Sequence, residues 1–126
     1  MKKTILVVED EFPLLDAVTE TIEKKGYAVY SARSAKEVFD CLEELPSVSG
    51  VWLDHYILGK ENGLDVVARM KEEDKWKGIP VFVVSNTATD DKISSYIQLG
   101  VEKFYVKSQV KIHDVVDELI SVIEKQ

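Results

Sequence analysis

Cysteine occurs once in the 126 residues, at Cys41. A lone cysteine excludes an internal disulfide and a thiolate zinc site, and it fits a reducing compartment such as the cytoplasm. At the edge of a helical segment, Cys41 reads as an inert side chain. No apolar run approaches the ~18 residues that a membrane span needs. The opening MKKTILVVEDE is apolar for only a few residues before it meets acid, so it reads as a first strand and not as a leader. Positive charge is in deficit: 16 Lys and Arg against 23 Asp and Glu give a net charge of -7 and a pI near 4.8. That balance argues against direct contact with a nucleic-acid backbone, which needs a basic footprint. Any effect on DNA would pass through a protein partner.

What is present is an alternation of two periodicities along the whole chain. Short apolar, β-rich runs span residues 4–8, 27–32, 51–54, 81–85 and 103–106. Several of them lack an apolar/polar alternation, as expected where helices cover both faces of a parallel sheet. Between them lie stretches with helical spacing. Leu14, Leu15, Val18 and Ile22 form the first, with Gly26 as a stop. Ser34 and Glu37 make a capping-box pattern ahead of Val38, Phe39, Leu42 and Leu45, and Pro46 ends that run. Leu64, Val67, Ala68 and Lys71 suggest a third helix, and residues 90–99 before Gly100 a fourth. Ile112, Val115, Val116, Leu119, Val122 and Ile123 form the stripe of a fifth. With no linker, repeat or low-complexity segment, the expectation is one α/β domain, an open doubly wound sheet of five strands and five helices. Ligands of such sheets bind beyond the carboxyl ends of the strands.

Those ends carry the chemistry. Strand one runs ILVV into Glu9, Asp10 and Glu11; strand three ends at Asp54, strand four at Ser85, and Lys107 follows strand five. Adjacent carboxylates after a buried run repel one another unless they are solvated or hold a cation. Glu9, Asp10 and Asp54 offer hard oxygen ligands of the kind Mg²⁺ takes. Ser85 and Lys107 add a hydroxyl and a positive charge suited to a phosphoryl group. Glu11 belongs with the helix start, where its charge suits the helix dipole. His55 reads as a loop residue pointing away from the site, His113 as solvent-facing, Trp52 as core and Trp76 as a cap on the sheet edge.

In order and spacing, ILVVEDE, VWLDHYILGKENGLDV, PVFVVSNTATDD and GVEKFYVKS resemble the receiver domains of two-component response regulators, over essentially the whole chain. The resemblance implies a flavodoxin-like sheet of strand order 2-1-3-4-5 in a single receiver domain spanning residues 1–126. It implies that Asp54 accepts a phosphoryl group from the phosphohistidine of a sensor histidine kinase or a phosphotransfer protein, with Ser85 and Lys107 contacting that group. Asp10, Asp54 and the backbone carbonyl of Tyr56 would bind Mg²⁺ directly, and Glu9 through water. Ser85 and Phe104 would be the switch pair that remodels the surface around the fourth helix and fifth strand for a downstream protein. Tyr56 and Thr87 would tune phosphate loss, with Asn86 beside the site. The chain would be a cytoplasmic monomer or weak phosphorylation-dependent dimer that turns over no external substrate.

The sequence departs from the family pattern twice. Ser108 stands where a proline usually follows the lysine, and Leu58 replaces a proline four residues after Asp54, with Asn62-Gly63 one residue late. These departures motivate an alternative: a degenerate receiver that binds proteins without phosphorylation. An aspartate-dependent phosphatase would want an Asp-x-Asp pattern after strand one. A flavin-binding relative would want a glycine- and hydroxyl-rich first loop; neither is present.

Overall fold

In the computed structural model, which describes residues 2–86 and 89–126, five parallel strands form one sheet of order β2-β1-β3-β4-β5. The strands are β1 (Thr4–Val8), β2 (Ala28–Ala32), β3 (Gly50–Leu53), β4 (Val81–Ser85) and β5 (Lys103–Val106). The helices are α1 (Phe12–Lys24), α2 (Ala35–Glu44), α3 (Gly63–Glu72), α4 (Asp90–Leu99) and α5 (Ile112–Glu124), with a short 3₁₀ turn at Lys107–Gln109. The doubly wound α/β fold and its strand order are therefore as expected. No helix among the described residues is long and apolar enough to cross a membrane.

The central strands are apolar throughout because both of their faces are covered. Successive residues of a strand point to opposite sides, and the chain sorts its core accordingly. Leu6, Val8, Val51, Leu53, Val81 and Val83 face α2, α3 and α4, meeting Val38, Phe39, Val67, Met70 and Tyr96. Ile5, Val7, Trp52, Phe82 and Val84 face α1 and α5, meeting Val18, Ile22, Val116, Leu119 and Ile123. The edge strands β2 and β5 carry the exposed positions that β1, β3 and β4 lack.

Local signals set the ends of the elements. Ser34 caps α2, its Oγ accepting the Glu37 N–H at 3.2 Å, but Glu37 reaches back to the Arg33 N–H instead of closing a box on Ser34. A complete capping box lies elsewhere, at the start of α3, where Asn62 and Asp65 satisfy each other's backbone N–H groups. Trp76 is buried against Phe39 of α2, ring centroids 5.5 Å apart, and not on the sheet edge. Asp54 stands one residue beyond β3, although its N–H still donates to the Val8 carbonyl at 3.0 Å. The Glu9 N–H donates likewise to Ala32 at 3.1 Å. These two bonds carry the ladder just past the strands and set both acids at the crevice.

At the opposite end of the sheet, the Tyr27 hydroxyl donates to Glu124 at 2.6 Å, tying the approach to β2 to the end of α5. Burial first, and then the Glu124 carboxylate, push the Tyr27 hydroxyl up from 10.0 to about 12. A proton held more tightly in the folded chain stabilises it below the unfolded value and ceases to do so as pH rises through the folded one. Tyr27→Phe should therefore flatten the fall in thermal midpoint between pH 10 and 12. Equal slopes in both proteins would show that this bond contributes nothing.

Candidate functional site

The carboxyl ends of β1, β3, β4 and β5 converge on a cavity of about 190 Å³ lined by Asp10, Glu11, Asp54, Tyr56, Ser85, Asn86 and Lys107. Glu9 lies beneath, with no exposure at all, and Asp54 and Ser85 are buried. Lys107 reaches in from the 3₁₀ turn after β5. Its Nζ sits 3.0 Å from Asp54 Oδ2, 3.1 Å from Glu9 Oε1 and 3.8 Å from Glu11 Oε1. Asp54 Oδ1 accepts the His55 N–H at 2.7 Å, and Glu9 Oε2 the Glu11 N–H at 3.1 Å.

The electrostatics of this group are asymmetric. Burial pulls the Lys107 ammonium toward a lower pKa, but Asp54 and Glu9 outweigh it and leave the group raised, hence charged. Glu9 is also raised, by burial first and by the neighbouring Asp54 charge, against the pull of the Glu11 N–H and Lys107. Lys107 is thus firmly cationic, and Glu9 is the carboxylate under pressure from its surroundings.

Carboxylate oxygens of Glu9, Asp10, Glu11 and Asp54 lie within 4.8 Å of one another. An all-oxygen, carboxylate-rich set open to water on one side fits Mg²⁺, which keeps several waters, better than a softer metal. Glu11, set aside as a ligand from the sequence, is both the residue preceding α1 and a member of this cluster.

The remaining expected residues divide. Ser85 and Asn86 flank the cavity, and Asn86 Oδ1 accepts the Ser108 N–H at 2.9 Å. Phe104 on β5 stacks at a tilt on Tyr96 of α4, centroids 5.6 Å apart. Tyr105 points to the other face of the sheet, where it bonds Glu118 and stacks on Phe82. Tyr56 lines the cavity with its side chain largely exposed, and its hydroxyl accepts from Lys92 at 3.1 Å. Thr87 lies outside the described residues. No peptide bond among the described residues is cis, so Lys107–Ser108 is trans.

His55 departs from expectation. It is outside the strand, yet its side chain is buried, with Nδ1 2.6 Å from the Tyr96 hydroxyl. Burial, and then Lys92, hold its imidazole below the usual histidine range, while burial raises Tyr96, so both partners are neutral at pH 7. Gly63, which opens α3, packs against this pair: its N–H donates to the His55 carbonyl at 2.8 Å. A Cβ there would collide with the Tyr96 hydroxyl and stand 3.0 Å from the Asp54 carbonyl oxygen. As alternation implies, His55 lies away from the cavity on the face of Leu53 and α4; what alternation does not signal is its burial against Tyr96. A sequence signal does exist: a polar aromatic in α4 with no other reason to be internal.

Tyr96→Phe should destabilise the chain by about 1–3 kcal/mol, the cost of a buried nitrogen left unpaired. His55→Leu added to it should recover much of that loss, and urea unfolding of the four-member cycle measures both. Gly63→Ala should cost about 1–3 kcal/mol by overpacking.

A family model for the response regulator receiver domain matches residues 5–119. Among curated relatives, the alginate biosynthesis transcriptional regulatory protein AlgB of Pseudomonas syringae pv. tomato is 35% identical over 103 residues, 82% of this chain and 22% of that protein. The two-component response regulator ORR7 of Oryza sativa subsp. japonica is 26% identical, over 82% of this chain and 49% of its own length. The chain thus spans about a fifth of the first relative and about half of the second. A CheY-like receiver domain protein from Methanospirillum hungatei superposes with a TM-score of 0.88 at 19% identity, covering 99% of this chain and 96% of that one. The phosphorylated cyanobacterial phytochrome response regulator RcpA gives 0.82 at 23%, covering 98% and 93%. At these identities the structural likeness speaks to the fold.

Proposed function

The chain belongs to the response regulator receiver domain family, and from that premise we propose that it is a phosphoacceptor switch in which Asp54 takes a phosphoryl group from a phosphohistidine. The observation that carries this reading is the buried Asp54 carboxylate, 3.0 Å from the Lys107 ammonium with Glu9 and Asp10 beside it. An Asp54 oxygen attacks phosphorus as the bond to the donor imidazole nitrogen breaks, giving an acyl phosphate and a free histidine on the donor.

Asp10, Asp54 and the Tyr56 carbonyl would hold Mg²⁺, with Glu9 acting through water; when bound, the ion offsets charge on the transferring group. Lys107 then exchanges its contact with Asp54 Oδ2 for one with a phosphoryl oxygen, so its charge follows the incoming charge. Ser85 donates its hydroxyl to another phosphoryl oxygen, and Asn86 sits at the rim. Movement of Ser85 leaves room for Phe104 to turn inward, which alters the α4 and β5 surface. The acyl phosphate stays open to water through the same cavity, so the mark is self-limiting. The donor is a sensor histidine kinase or a phosphotransfer protein, the readout a downstream protein, and the setting the cytoplasm.

Acetyl phosphate should add one phosphoryl group to the intact chain in Mg²⁺, seen as a single mass increment. Asp54→Asn or chelation of the metal should reduce labelling to background. Labelling that survives Asp54→Asn would sink the proposal.

A further inference from the structure

Arg33, one residue past β2, makes contacts that no role in phosphoryl transfer accounts for. Its Nη2 donates to the Asp10 carbonyl at 3.2 Å, and its guanidinium lies 4.1 Å from the centroid of the Phe12 ring. Its backbone carbonyl accepts the Leu58 N–H at 2.7 Å, part of an isolated bridge between Ser34 and Leu58. One residue therefore joins the loop after β1, which carries Glu9, Asp10 and Glu11, to the loop after β3, which carries Tyr56. Among the described residues no carboxylate lies within ion-pair distance of the guanidinium, and its Nε is buried without a partner. A cation that bonds the backbone carbonyl of Asp10, and no carboxylate within ion-pair distance, is placed to hold a loop, not to neutralise a charge.

Resting on the phosphoacceptor reading, we propose that Arg33 is a positioning residue for the metal site: it clamps the Asp10 loop onto the loop that carries Tyr56 and so sets Mg²⁺ affinity. The sign of the effect separates this from simple electrostatics. A guanidinium near a divalent cation repels it, so if charge alone mattered, removing Arg33 would tighten Mg²⁺ binding. If Arg33 positions the ligands, removing it weakens binding despite the lost repulsion.

The test is a calorimetric Mg²⁺ titration of the unphosphorylated chain, with thermal unfolding as the check on folding. Arg33→Met, which keeps the stem but loses charge and donors, should raise the dissociation constant about tenfold. Arg33→Lys, which restores the charge and one donor without the planar fork, should fall between. With acetyl phosphate, the Mg²⁺ needed for half-maximal labelling of Asp54 should rise in parallel, while the rate at saturating Mg²⁺ stays within about twofold. Binding as tight as or tighter than in the unmodified chain, for Arg33→Lys or a folded Arg33→Met, would overturn the proposal. So would a lower saturating rate with unchanged Mg²⁺ dependence, which would put Arg33 on the transferring group. An unmodified chain that binds no Mg²⁺ would remove the phosphoacceptor reading itself, and the proposal with it; failure confined to the Arg33 variants removes only the proposal.

Discussion

The site depends on one ammonium. Glu9 is wholly buried, Asp54 nearly so, and burial together with the neighbouring Asp54 raises the Glu9 carboxyl above its usual range. Lys107 lies within 3.1 Å of both and is 16% exposed, close enough to offset them and wet enough to stay solvated. As a stabilising device the arrangement is poor, because well-packed apolar residues in the same volume would serve as well or better. What it achieves is to hold a carboxylate against an ammonium at the base of a cavity. An apolar core cannot do that.

The sheet makes the grouping possible by arithmetic. Parallel strands present all their carboxyl ends on one side, so residues 9, 10, 54, 85 and 107, far apart in the chain, meet within one crevice. That much was legible in the sequence. The apolar runs marked the strands, and the polar residues behind each run marked the site, because both follow from burial patterns that need no tertiary information. β1, β4, α4 and β5 fall at the expected residues. β3 begins and ends one residue earlier than expected, at Gly50–Leu53, and the turn that follows Asp54 sets its end.

What stayed hidden is the part that depends on contacts between loops. Nothing in ARSAKE signals that Arg33 reaches the Asp10 carbonyl 23 residues away, since a guanidinium at the start of a loop is most often solvated. His55 was hidden for a related reason. Its partner, Tyr96, sits on a helix 41 residues further on, and periodicity marks such a residue as core without saying what its hydroxyl bonds. Asn62 with Asp65, by contrast, is a capping box whose spacing the sequence carries openly.

The two missing prolines connect these observations. A proline at position 58 or 108 would fix its own φ but would carry no N–H. In this chain both N–H groups are used: Leu58 donates to the Arg33 carbonyl at 2.7 Å, and Ser108 to Asn86 Oδ1 at 2.9 Å. Each bond ties a loop of the site to the loop after another strand, β3 to β2 across the intervening β1 in one case and β5 to the adjacent β4 in the other. Rigidity that a ring would supply within one loop is supplied here between loops. A ring restrains its loop whatever the neighbouring strands do, whereas a hydrogen bond restrains it only while the partner stays in place. The β5 loop, and Lys107 with it, is therefore coupled to Asn86, the residue next to Ser85. A movement of Ser85 toward a phosphoryl group would pull on the turn that aims Lys107. The departures from the family pattern leave the site residues together and alter how the loops around them are linked.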